Sequence, residues 1–145
     1  MITKELKAKK YCCFYASDFH LEMILLPYLK DNLRKTNISI LTQDNLSVSI
    51  KQVLDRTNFS EVEKKDIINL NWNEKQIDSL NIKNNDIIII NGDKNYIEKI
   101  NNKILKLRLK NITLVNCFDI SKIEENKFDI TKEYEGILNT NYVTK

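Results

Sequence analysis

Glycine and proline are nearly missing from this sequence, with two Gly and one Pro in 145 residues. The shortage is functional information. Dinucleotide binding needs glycines in the first βα turn, where the backbone must approach a pyrophosphate, and Ala16–His20 supplies none. It places an acid where a phosphate would sit. No Gly-Lys-Ser/Thr loop occurs, so P-loop chemistry is excluded. Cysteine and histidine are scarce too. Three Cys, two of them adjacent as Cys12 and Cys13, make no disulfide framework, and with a single His they make no zinc set. All three Cys lie in apolar, strand-like segments, where burial leaves a thiol inert. No metal, cofactor or catalytic residue is expected.

Long hydrophobic runs are also lacking. Nothing approaches the roughly 18–20 apolar residues of a membrane span. The N-terminal lysines lead into a strand-like segment instead of the apolar helix and small-residue cleavage site of a signal peptide. The expectation is a cytoplasmic chain with no membrane partner. Charge of one sign is absent from the body. Within residues 1–10, Lys4, Lys7, Lys9 and Lys10 against Glu5 account for the whole net charge of +3. The remainder is balanced, which disfavours nucleic acid as a partner. Residues 1–10 read as a flexible basic end.

What is present is an alternation of strands and helices. Tyr11–Ala16 (YCCFYA) is a short apolar run without alternation, as in a strand buried on both faces. Asp18 then caps a helix to about Lys35, with Leu21, Ile24, Leu25 and Tyr28 near one face and Pro27 as an awkward interruption. Asn37–Thr42 is a second strand, followed by a helix carrying Leu46, Ile50, Val53 and Leu54. Ser60-Glu61-Val62-Glu63 matches a capping box, so a helical turn precedes a third strand at Asp66–Asn71. A weaker capping box at Asn73 and Gln76 leads a short helix with Ile77 and Leu80. Asp86–Asn91 (DIIIIN) is the clearest strand, with four consecutive β-branched side chains. The clearest helix follows it, with Tyr96, Ile97, Ile100, Ile104 and Leu107 at helical spacing. Asn111–Cys117 is a fifth strand.

Strands separated by helices over short connections are the pattern of βαβ units. The expected fold is α/β: one doubly wound, mostly parallel five-stranded sheet with helices on both faces, a Rossmann-like or flavodoxin-like three-layer sandwich. Residues 11–120 form the α/β domain. Residues 121–145 form a C-terminal extension packed on it, in which Phe128, Ile130 and Tyr134 suit an edge strand or a short helix.

In open parallel sheets ligands bind outside the carboxyl ends of the strands. The residues placed there are Ser17, Asp18 and His20 after the first strand, Asp44 after the second, Trp72 after the third, and Asn91 and Asp93 around the fourth. Asp18-Phe19-His20 offers an imidazole beside a carboxylate, as general acid–base work requires. The same residue types cap helices and turn chains for structural reasons. The Asp-x-His spelling also opens the cobalamin-binding Asp-x-His-x-x-Gly motif, but Met23 stands where that motif has glycine. Trp72 could stack on a planar ligand. From Asp93 to Lys110, six basic residues face Asp93 and Glu98, the pattern of a solvated amphipathic helix.

Two functional readings follow. The favoured one is a non-catalytic protein-interaction or regulatory module that self-associates, since the loops that would bear a site lack activated nucleophiles. The alternative is a small-molecule site at the strand ends, in an enzyme or a sensor, with Ser17, Asp18 and His20 opposite Asp44, Asn91 and Asp93. That version requires the first and fourth predicted strands to lie close together.

Overall fold

A computed structural model describes residues 8–73, 82–123, 127–139 and 142–144. The strands are β1 (Lys9–Tyr15), β2 (Ile38–Thr42), β3 (Ile87–Gly92), β4 (Thr113–Asp119), β5 (Gly136–Asn139) and β6 (Tyr142–Thr144). The helices are α1 (Asp18–Asn32), α2 (Ser47–Leu54), α3 (Glu61–Ile68), α4 (Lys94–Leu105) and α5 (Lys127–Thr131). The sheet order is β2-β3-β4-β1-β5-β6. The first five of these are mutually parallel, and β6 pairs antiparallel with β5.

Side chains on a strand alternate between faces, so the isoleucine run of β3 feeds both sides of the sheet. Ile87 and Ile89 join one buried cluster with Leu21, Leu25 and Leu29 of α1, Ile50 and Leu54 of α2, and Ile67 of α3. Ile88 and Ile90 join a second cluster with Ile97, Ile100 and Ile104 of α4 and Ile130 of α5. Helices therefore cover both faces, and the fold is the expected three-layer α/β sandwich. The β2–β3 connection changes sides on the way, because Trp72 belongs to the first cluster and Ile82 packs on the second.

One predicted strand is not a strand. Asp66–Asn71 was assigned to the sheet, but Asp66-Ile67-Ile68 ends α3. The reason lies just upstream. Ser60 and Glu63 form both bonds of a capping box, at 3.1 and 2.8 Å, and once nucleated the helix runs on through Ile67. Ile67 is its one fully buried side chain and pins the helix to the core. The sheet's fifth parallel strand is β5, drawn from the C-terminal residues, which also supply α5 and a 3-10 turn at Ile120–Lys122. The helix expected to include Ile77 and Leu80 lies outside the described residues.

Helix α1 continues through Pro27, which sits on its exposed side. The Met23 carbonyl that loses its i+4 donor there is on the same solvent-facing line, where water can replace the bond. The rest of α1 is buried nearly all round, because the sheet, α2 and α3 all contact it.

Two substitutions test these assignments. Ser60→Ala should cost about 1 kcal/mol in urea unfolding, as a lost N-cap does. A strand at Asp66–Asn71 would be indifferent to it. Ile89→Ala, at a site with no exposed surface, should cost about 2–5 kcal/mol by leaving a cavity in the centre of the sheet.

Candidate functional site

The connections after β1 and β2 leave to the face of α1 and α2, and those after β3 and β4 leave to the face of α4 and α5. In the order β2-β3-β4-β1 this makes two places where adjacent strands send their chains to opposite sides, β2/β3 and β4/β1. Such switch points open the crevices that α/β sheets use for ligands.

The β2/β3 switch point is closed. Gln43 lies across it, its Oε1 accepting from the Asp93 N–H at 2.8 Å and its Nε2 donating to Asp93 Oδ2 at 3.2 Å. The other Asp93 oxygen caps α4 by accepting from the Tyr96 N–H at 2.8 Å. Gly92 permits this closure, since a Cβ there would come within 2.7 Å of both Gln43 Oε1 and the Tyr96 ring. Asp93, expected at the site, is thus a structural residue.

The β4/β1 switch point is different. Tyr15 ends β1 in register with Asp119 of β4. The Tyr15 hydroxyl reaches over β4 and donates to Asn91 Oδ1, and Asn91 Nδ2 donates to Thr42 Oγ1 at 2.9 Å. Thr42 in turn donates to the Asp44 carbonyl at 2.6 Å. This buried relay links β1, β3 and β2. Three carboxylates, Asp18, Asp44 and Asp119, act electrostatically on the Tyr15 hydroxyl, and among the described residues Lys122 pairs with two of them. Lys122 Nζ lies 3.7 Å from Asp44 Oδ2 and 3.9 Å from Asp119 Oδ2. Asp119 also accepts from the Ser121 N–H and hydroxyl through its other oxygen, at 3.0 and 2.6 Å.

The electrostatics show convergence. Burial first, then Asp44 and Asp119, raise the Asp18 pKa, while Lys122 lowers it. Tyr15 is pushed far up, by burial and then by Asp119, Cys117, Asp44 and Asp18, so its hydroxyl stays a donor. Among the described residues one lysine pairs with two of the three carboxylates, which leaves an excess of negative charge at this edge.

The other expected residues take quieter places. Ser17 Oγ caps α1 by accepting from the His20 N–H at 3.1 Å. His20 Nδ1 accepts from the Ala16 N–H at 3.0 Å, and no hydrogen bond joins it to Asp18 among the described residues. Trp72 is 3% exposed, its indole N–H donating to the Ile67 carbonyl at 2.8 Å, so its ring packs in the core and presents no face to a ligand. Asn91 is present at the edge but buried, with its Oδ1 and its Nδ2 each in a hydrogen bond within the relay. Tyr15 and Lys122 were not singled out by sequence reasoning. A tyrosine at the end of a buried strand was the available signal, since a buried phenol needs a partner. The cysteines are buried, with the Cys12 thiol pushed up to about 12 by burial.

One turn beyond Asp18, Glu22 is wholly buried between α1 and α2. Ser49 Oγ donates to its Oε2, and its Oε1 has no hydrogen-bond partner. Burial, and secondarily Asp18, raise its pKa against the Ser49 bond.

No protein-family model matches the chain, and searches of the curated proteins and of the solved structures return no match.

Glu22 gives a pH prediction with a definite sign. Its native pKa lies above the unfolded value near 4.5, so folding takes up protons. The stabilisation is complete below that value and is lost as pH rises through the raised native pKa. Glu22→Gln should therefore be more stable than the parent at neutral pH and equal to it under acid. Urea midpoints for both proteins across pH check this, and a constant difference would refute it.

Proposed function

We propose that this domain is a non-catalytic regulatory module that senses a small organic cation at the crevice between the carboxyl ends of β1 and β4. The observation that carries the reading is that Asp18, Asp44 and Asp119 all act electrostatically on the Tyr15 hydroxyl, while Lys122 pairs with Asp44 and Asp119. Burial and mutual repulsion raise Asp18, and an ammonium group would relieve both. The described residues contain no cluster of three or more His, Cys, Asp or Glu arranged to hold a metal ion, which favours an amine over an inorganic cation. Phosphorylated ligands suit the crevice poorly, because the first βα turn offers an acid and no glycine. Absence of catalysis is supported by the occupied state of the nearby nucleophiles: Ser17 caps a helix and the thiols are buried.

The test is a thermal-shift panel of polyamines, amino sugars and quaternary amines beside nucleotides and organic acids. An amine at 100 times its dissociation constant should stabilise the native state by about 2.7 kcal/mol, moving Tm by a few degrees. The shift should disappear in Asp119→Asn and survive in His20→Ala. Stabilisation by nucleotides, or by no amine, would overturn the reading.

A second reading, self-association, is favoured by a separate observation. On the outward side of α1, Phe19 is 54% exposed and Met23 is 42% exposed, one turn apart and followed by Pro27. An apolar stripe on an otherwise solvated helix side suits a second copy of the chain. Met23→Lys should then shift sedimentation toward the monomer. A parent already monomeric at high concentration would dismiss this reading.

A further inference from the structure

We propose that the cleft between α4 and α5, whose lining shares no residue with the carboxylate site, is a second ligand site that takes a small carboxylate with an apolar body.

The starting point is an anomaly in the layer between sheet and helices. Helix–sheet layers are filled by apolar side chains, yet β4 places Asn116 there between Leu114 and Phe118, and α4 answers with Asn101 between Ile97 and Ile104. The two amides exchange a pair of hydrogen bonds, each 3.0 Å. Asn101 also donates to the Ile97 carbonyl at 2.8 Å, and Asn116 also donates to the Tyr134 hydroxyl oxygen at 2.8 Å. Every amide hydrogen of the pair is used, so the network is ordered and complete up to Tyr134. There it stops. Tyr134 Oη accepts from Asn116, and its own proton has no acceptor among the described residues. A buried or half-buried hydroxyl is expected to use its donor.

That donor borders an open volume. A cleft of about 280 Å³ is lined by Tyr134, Asn101 and Asn116 together with Lys10, Ile97, Phe118 and Ile130. Lys10 Nζ lies over the Tyr134 ring, 5.1 Å from its centroid, and makes no ion pair among the described residues. Two carboxylates also line the cleft: Glu98, paired with Lys94 at 3.5 Å, and Glu133, whose charge adds to burial in holding the Tyr134 hydroxyl protonated. One end of the cleft therefore offers a neutral O–H donor beside the Lys10 ammonium. Ile97, Leu105, Phe118 and Ile130 give it an apolar wall, and Lys94 and the two glutamates line it as well. Burial keeps the Tyr134 hydroxyl protonated. An oxyanion between Tyr134 Oη and Lys10 Nζ would complete the network that the asparagines begin, and charge-assisted bonds of this kind are the strong ones. The volume is at the lower limit of sites for drug-sized molecules, which sizes it for a short-chain metabolite.

The probes are hexanoate and its uncharged analogue hexanamide, titrated calorimetrically into the full chain. Hexanoate should bind and hexanamide should bind at least about tenfold more weakly, since the ionic contact is lost. Tyr134→Phe keeps the ring and removes only the hydroxyl, and it should weaken hexanoate by a similar factor. Because any core variant can perturb folding, the parent protein supplies an independent readout. The side-chain amide resonances of Asn101 and Asn116 should shift on adding hexanoate and stay put with hexanamide. Equal affinity for the two probes, unmoved amide resonances, or a Tyr134→Phe affinity within twofold of the parent would each overturn the proposal.

Discussion

The whole sandwich hangs on the burial of β3 from both sides. Ile87 and Ile89 point to one helical layer and Ile88 and Ile90 to the other, and all four are essentially inaccessible to solvent. Two adjacent isoleucines cannot both be buried on a strand unless each face has its own cover. That requirement forces α1, α2 and α3 on one side and α4 and α5 on the other. The division of helices in turn decides which neighbouring strands send their chains apart, and so where crevices open at the carboxyl edge. A run of four isoleucines thus reaches, through packing alone, to the position of the candidate site.

Of the two switch points, the molecule closes one and leaves the other charged. At β2/β3 a single glutamine amide satisfies the backbone and the side chain of Asp93 together, and Gly92 gives it room. At β4/β1 no such bridge forms. A phenol, an amide and a hydroxyl make a rigid floor, and the acids above it share Lys122. The contrast matters because both edges are built from the same polar residue types. What separates them is that one carboxylate is satisfied by a single glutamine at β2/β3, while several carboxylates share Lys122 at β4/β1.

Much of the architecture was legible in the sequence, and the failures have physical causes. Continuous apolar runs marked β1 and β3 because both are buried on two faces. The same rule misled at Asp66–Asn71, where two isoleucines fit a helix end as well as a strand. The capping box three residues upstream was the deciding signal and its reach was underestimated. β5 was hidden because Gly136–Asn139 is short and half of its side chains are only partly buried. The candidate site was legible in its region but less so in its members. Asp18 and Asp44 could be placed from strand ends. Lys122 acquires meaning only through its pairs with Asp119 and, across β3, with Asp44, and Trp72 was misplaced with the strand that does not exist.

The position of β1 has a consequence for how the chain reaches this state. Though first in sequence, β1 lies inside the sheet, pairing Lys9 with Thr113 on one side and Tyr11 with Gly136 on the other. During synthesis it must wait, with its apolar faces unmatched, until β4 and β5 have left the ribosome. β2, β3 and β4 can meanwhile assemble from local βαβ steps. Final closure then depends on inserting a pre-existing strand between late-arriving neighbours, a step of high contact order and correspondingly slow.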